Sequence, residues 1–318
     1  MSRKRNPKYI VDLLLLPLVL LGATVLGYIR KKGMVRFPLC SKLLIKVGVF
    51  PIIDFYYEPL FDYRDKSHHF GIERNLPGIS WNEQSQLLFL DELSYAKELM
   101  SIPQEKPSDG SFYINNGSFE SGDAEFWYQV VRSKKPKKII EIGSGNSTLA
   151  AILAIKKSQM ENEDYSCEHT CIEPFEMPWL ESTGVKVIRE KVEDIDIDIF
   201  SCLEEDDILF IDSSHIIRPV GDVLTEYLSI LPTLNKGVIV HIHDIFSPRH
   251  YPFSWFDETV RFWNEQYLLE AFLSNNSDWE ILAGVNWLKH NHLESLKQVC
   301  PFVTSDREPG SFYIRKIR

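Results

Sequence analysis

The sequence predicts an α/β fold, a doubly wound and mainly parallel sheet, preceded by an apolar N-terminal helix. Three observations carry that expectation. From Lys138 onward, short β-branched runs alternate with helical stretches, as in successive strand–helix–strand units. The first run ends in Gly143-Ser144-Gly145 and several others end in acidic residues, where an open parallel sheet gathers its ligands. Ahead of all this, Tyr9 to Ile29 is almost wholly apolar.

At 318 residues the chain suffices for one sizeable α/β domain with extra segments. Its formal charge of −10 repels a phosphate backbone, so nucleic acid is excluded as a partner of the folded part. The five cysteines, Cys40, Cys167, Cys171, Cys202 and Cys300, lack zinc spacing with histidine. Their odd number, without a framework, fits buried thiols in a reducing compartment.

Tyr9–Ile29 is interrupted by Asp12 and Pro17 and matches the roughly 20 residues a bilayer-spanning helix needs. Arg3, Lys4, Arg5 and Lys8 precede it, and Arg30, Lys31, Lys32 and Arg36 follow. A cleaved signal peptide would end in small residues before polar sequence, and Gly27-Tyr-Ile-Arg-Lys-Lys does not. No polar face recurs at the helical period, which argues against a buried soluble helix. Residues 1–33 are therefore expected to be a membrane anchor with basic flanks. Positive charge on both sides does not orient it.

Residues 34–110 form an aromatic-rich arm, with prolines at 38, 51 and 59 and with Lys42 and Lys46 among apolar residues. This suits a segment at the membrane interface or one docked on the main domain. Pro77-Gly78 marks a turn, and Ser80 with Glu83 predicts a capping box opening a helix over Trp81–Met100. The loop Pro103–Gly110 separates this arm from the main domain, residues 111–318.

Within that domain the first strand is Lys138–Ile142, followed by a helix over Ser147–Lys156. Further strands are expected at His169–Glu173, Val185–Ile188, Asp207–Asp212 and Val238–Asp244. A helix over Trp255–Leu273 and a final strand at Ser311–Arg315 complete a Rossmann-like order.

The turn after the first strand reads Glu141-Ile-Gly143-Ser144-Gly145-Asn146-Ser147-Thr148. Its glycines admit a ligand close to the backbone, and the next helix presents free N–H groups. A nicotinamide site would carry a third glycine where Thr148 stands. Glu141 would repel a pyrophosphate but can help orient the cationic amino acid end of S-adenosylmethionine through backbone and water contacts. Glu173, ending the second strand, can accept hydrogen bonds from both ribose hydroxyls. Glu193 and Asp194, after the third strand, reach toward an adenine edge.

Residues from about 112 to 318 resemble a class I S-adenosylmethionine-dependent methyltransferase of the methyltransferase domain 24 type. The stretches that carry the resemblance are Phe119–Glu125, Ile140–Thr148, Phe210–His215, Val240–Phe246 and Arg261–Leu268. It implies the fold and the cofactor, with Glu141, Gly143, Gly145 and Glu173 in the cofactor pocket. Ser144, Asn146, Ser147, Glu193 and Asp212 complete the expected pocket.

Asp212 and His215 follow the fourth strand, and His243 and Asp244 end the fifth. Methyl transfer is an in-line displacement, so the protein positions the acceptor and removes its proton. His215 or His243 can serve as that base. Alternatively Asp212 and Asp244 can hold a divalent cation such as magnesium, which acidifies an acceptor hydroxyl. This is similar to the catechol O-methyltransferase layout, from which His243 beside Asp244 departs. Arg249, His250, Tyr251, Asn264, Glu265 and Tyr267 are acceptor-pocket candidates, and Trp255, Phe256, Phe262 and Trp263 are expected in the core.

The leading reading is an O-methyltransferase acting on a small molecule or on a membrane-associated or cell-surface glycan or glycolipid hydroxyl. Because S-adenosylmethionine is cytosolic, the catalytic domain is expected on the cytoplasmic side of the anchor. Two other readings compete: an NAD-dependent sugar-nucleotide oxidoreductase, disfavoured by the missing third glycine and Tyr-x-x-x-Lys pair, and a non-catalytic, membrane-tethered cofactor-binding protein.

Overall fold

The computed structural model describes residues 7–63, 65, 69–108, 110–175 and 177–318, so the flanking Arg3, Lys4 and Arg5 lie outside the described residues. The chain divides into two compact units, residues 1–68 and His69–Arg318. This division falls between the boundaries expected near 33 and 110.

The first unit contains α1 (Pro7–Lys32) and α2 (Pro38–Val47). In α1, Lys8–Lys32 is long and apolar enough to cross a membrane by length and composition, with a mean hydropathy of 2.4. At its end Arg30 Nε donates to Glu58 Oε1 at 2.7 Å. Proline opens α2 at the position where its missing N–H costs nothing, and Gly48, left-handed at φ 79°, ends it.

The second unit runs α3 (Glu83–Glu92), α4 (Ala96–Leu99), α5 (Asp123–Lys134), β1 (Lys138–Ile142), α6 (Asn146–Glu161), β2 (Glu168–Ile172), β3 (Lys186–Ile188), β4 (Ile208–Ile211) and α7 (Asp222–Thr225). It continues with β5 (Ile239–Ile242), α8 (Phe253–Asp257), α9 (Glu265–Leu273), β6 (Trp279–Gly284), α10 (Val285–Asn291), α11 (Leu293–Val299) and β7 (Phe312–Lys316). The strands form one sheet in the order β3-β2-β1-β4-β5-β7-β6. The first five are parallel, and β7 inserts antiparallel between β5 and β6. The chain leaves β1 in one direction and returns to β4 on its other side, so a crevice opens beyond the ends of β1 and β4.

Alternation along β1 separates the two layers of the core. Ile139 packs with Phe126, Trp127 and Ala150 on one face, and Ile140 and Ile142 pack with Leu209 and Ile211 on the other. Residues 69–110 join this unit: Trp81 stacks on Trp287 at 5.8 Å, and Gln86 Oε1 accepts the Gly284 N–H at 2.8 Å.

Two expected helices are broken. Over Trp81–Met100, Ser80 Oγ donates to Asn82 Oδ1 instead of capping the helix. After α3, Leu93 turns extended and buried, and the Tyr95 N–H donates to Gln129 Oε1 at 2.8 Å. Tertiary packing there outweighs helical periodicity. Over Trp255–Leu273, residues 258–264 are non-helical, with Val260 left-handed at φ 55°. The elements α2, α5, α7, β6, α10 and α11 are additions to the expected order.

Candidate active site

The turn after β1 is shaped by its neighbour β4. Gly143 has φ 78°, and a Cβ there would lie 1.9 Å from the Asp212 carbonyl oxygen. Only glycine permits this crossing. At Gly145 a Cβ would meet only the Met177 methyl, at 3.6 Å, so the turn is open on that side. The opening leads into a cavity of about 560 Å³, within the usual range for small-molecule sites. Of the expected cofactor residues, Gly143, Ser144, Gly145, Asn146, Ser147, Glu173, Glu193 and Asp212 line it. Glu173 anchors the far wall, its Oε2 accepting the Ser144 N–H at 3.3 Å and its Oε1 the Phe175 N–H at 3.0 Å.

Glu141 is the exception. It is fully buried beneath the turn and does not line the cavity. Its carboxylate accepts from Thr148 Oγ1 at 2.5 Å and lies 3.0 Å from His169 Nε2. Rather than lining the cavity, it fastens the start of α6 to β2 from below. Thr148, in the place of a third glycine, supplies the hydroxyl for that fastening.

Beyond β4 and β5 the character changes from open backbone to packed charge. His215 Nδ1 lies 2.7 Å from Glu265 Oε2, and Nε2 lies 3.1 Å from Asp212 Oδ1 and 3.6 Å from Asp244 Oδ2. His215 and Asp244 both adopt left-handed backbone, at φ 59° and 58°, a strain of a kind that clusters at functional sites. Burial disfavours the charged His215 ring, yet its hydrogen bonds to Asp212 and Glu265 and the charge of Glu265 and Asp244 hold its pKa well above the ordinary range. Asp212, His215 and Asp244 each turn one ligand atom toward a common point, all within 4.8 Å of one another. That set suits a divalent cation, with the Glu265 carboxylate orienting the imidazole from behind.

Residues 140–245 match the Methyltransf_24 family, described as a methyltransferase domain. The match spans about a third of the chain, from β1 to just past the end of β5. An uncharacterized protein of Archaeoglobus fulgidus is 31% identical over 135 residues, a stretch spanning 40% of this chain and 59% of that protein. Among solved structures, the chain is similar to the O-methyltransferase TomG from Streptomyces achromogenes in complex with SAM, at 12% identity and a TM-score of 0.37, covering 75% of this chain and 97% of that one. It is also similar to a cmcI structure with Mg and SAM, at 15% identity and a TM-score of 0.36, covering 70% and 84%.

At the end of β5, His243 is buried with Nδ1 unpartnered and Nε2 3.6 Å from Asp244. Burial lowers its pKa, but Asp244, Asp212 and Asp123 outweigh that and raise it. His241 is fully buried, bonded to Ser311 Oγ at 2.9 Å, and burial pushes its pKa well down.

The acceptor candidates separate. Arg249 bonds the Gly71 carbonyl at 3.0 Å and pairs with Glu73, Tyr251 is buried, and His250 Nδ1 lies 3.0 Å from the Tyr267 hydroxyl. Asn264 Oδ1 accepts the Ile217 N–H at 2.6 Å. Glu265 belongs to the charged cluster, and Trp263, expected in the core, lies over His215 at 4.2 Å. Phe119, Met177 and Arg218 also line the cavity. Only Phe119 had a signal in the sequence, within the Phe119–Glu125 stretch.

Proposed function

We propose that the chain is an S-adenosylmethionine-dependent O-methyltransferase. The observation that carries the reading is the open cavity at the Gly143–Gly145 turn, walled by Glu173 and ending beside Asp212. An acid at the second strand end suits an unphosphorylated ribose, and a wall of Glu173 and Glu193 disfavours a pyrophosphate.

Asp212, His215 and Asp244 would hold a divalent cation, which when bound acidifies an acceptor hydroxyl. Glu265 fixes the His215 ring, and the left-handed turn at Asp244 sets its carboxylate beside that ring. With His215 so engaged, His243 is the remaining nitrogen base at the strand ends.

The acceptor class belongs to the same proposal. The apolar α1 supports a membrane anchor with the catalytic unit on the cytoplasmic side, where the cofactor is made, and so a hydroxyl of a membrane-associated or cell-surface glycan-type acceptor. Incubating the full chain with methyl-labelled S-adenosylmethionine, magnesium and a lipid and glycan extract should yield a labelled product. Absence of label in every extract fraction would overturn the acceptor assignment.

A further inference from the structure

The segment 258–264 that interrupts the expected helix carries Arg261 into an aromatic setting. The Arg261 N–H donates to the Trp255 carbonyl at 2.7 Å. The guanidinium carbon lies 5.3 Å from the Trp255 ring centroid and 5.0 Å from that of Trp263, and the two indoles stand at 80° to each other. Trp263 lies in turn over His215 at 4.2 Å, and His215 reaches Asp212 at 3.1 Å. One indole therefore separates Arg261 from the charged cluster. The segment is pinned there, since the Asn264 and Glu265 N–H groups donate to the His215 carbonyl at 3.0 and 3.2 Å.

Arg261 is exposed, and among the described residues no carboxylate lies within ion-pair distance of it. Every other arginine of this unit from Arg74 to Arg315 is ion-paired with Asp or Glu. In a chain of net charge −10, with Asp257 and Glu258 only four and three residues away, this is a distinctive arrangement. Indoles against a guanidinium hold its plane and leave its N–H edge outward, the edge that binds carboxylate or phosphate oxygens in pairs.

We infer that Arg261, held by Trp255 and Trp263, is an anion receptor beside the reaction centre, so that the methyl acceptor carries a carboxylate or a phosphate. The inference rests on the methyltransferase reading and adds a property of its acceptor. The receptor also offsets the repulsion that Asp212, Asp244 and Glu265 exert on an incoming anion.

The test uses the full chain in neutral detergent, loaded with S-adenosylhomocysteine. Indole emission is followed while inorganic phosphate or acetate is added, against sodium chloride at equal ionic strength. Both anions, or one of them, should give a saturable change, and Arg261→Ala should weaken it at least about tenfold. Arg261→Lys, which keeps the charge without the planar fork, should recover part of the binding. A stronger phosphate response identifies a phosphorylated acceptor; a stronger acetate response identifies a carboxylate. A response equal to chloride, or one that survives Arg261→Ala, overturns the inference. Calorimetric titration with S-adenosylhomocysteine on the same samples separates the two ideas. No cofactor binding sinks the methyltransferase reading, whereas cofactor binding with no anion response sinks the receptor alone.

Discussion

The ends of β1 and β2 and the ends of β4 and β5 share one sheet edge but are built from opposite materials. The first pair surrounds a cavity with turn backbone, and Glu173, at the end of β2, is the acid that this pair places in the wall. The second pair packs three carboxylates around a single imidazole. Shape admits a ligand on one side, while charge waits for a cation or a proton on the other. One fold can therefore separate holding a cofactor from activating an acceptor, and substitutions on the two sides should fail in different ways.

The largest effect is expected at the seam between them. Gly143→Ala drives a methyl group toward the Asp212 carbonyl and should cost about 3 kcal/mol or more of stability, whereas Gly145→Ala should change stability by less than about 1 kcal/mol. Thermal unfolding of both variants tests this, and equal losses would remove the distinction between the two glycines.

Next comes the charged side. Asp244→Asn, or chelation by EDTA, should lower methyl transfer by about 10²–10³-fold with little change in cofactor affinity. Parallel loss of rate and cofactor binding would merge the two sides.

The two acids of the cofactor side divide similarly. Glu141→Gln disturbs a buried bonded group and should cost about 2 kcal/mol of stability. Glu173→Ala should leave the melting temperature nearly unchanged and weaken cofactor binding by about tenfold or more. Reversed outcomes would return Glu141 to the ligand.

The smallest effect concerns a carboxylate outside both regions, useful as a baseline. Burial alone would raise the Glu308 pKa, but hydrogen bonds from His290, Lys289 and Asn286 bring it down to about 2. Because its folded pKa is depressed, its contribution is present above the unfolded value of about 4.3 and is lost as pH falls toward 2. Urea titrations between these limits should show a shallower acid loss in Glu308→Gln than in the parent chain. An identical slope would contradict the pairing.

Much of this arrangement was legible in the chain. β-branched runs ending in Gly143–Gly145, Glu173, Asp212 and Asp244 place those residues at one sheet edge, because parallel strands share a direction. Glu141 was misread because its position near a strand end does not say which face its side chain takes; alternation with Ile140 and Ile142 sends it to the opposite layer. Glu265 was legible as an acceptor-pocket candidate, but its pairing with His215 was hidden by the 50 residues between them. The break after α3 was unreadable because what stops it, Gln129 taking the Tyr95 N–H, is a tertiary contact; the break after α8 is closed locally, Trp255 taking the Arg261 N–H six residues on.

Calorimetric titration of the full chain with S-adenosylhomocysteine, compared with Glu173→Ala, tests the central claim most directly. The account predicts saturable one-to-one binding by the parent chain and a clear loss in the variant. No heat from the parent chain, or equal affinity in both, would contradict it.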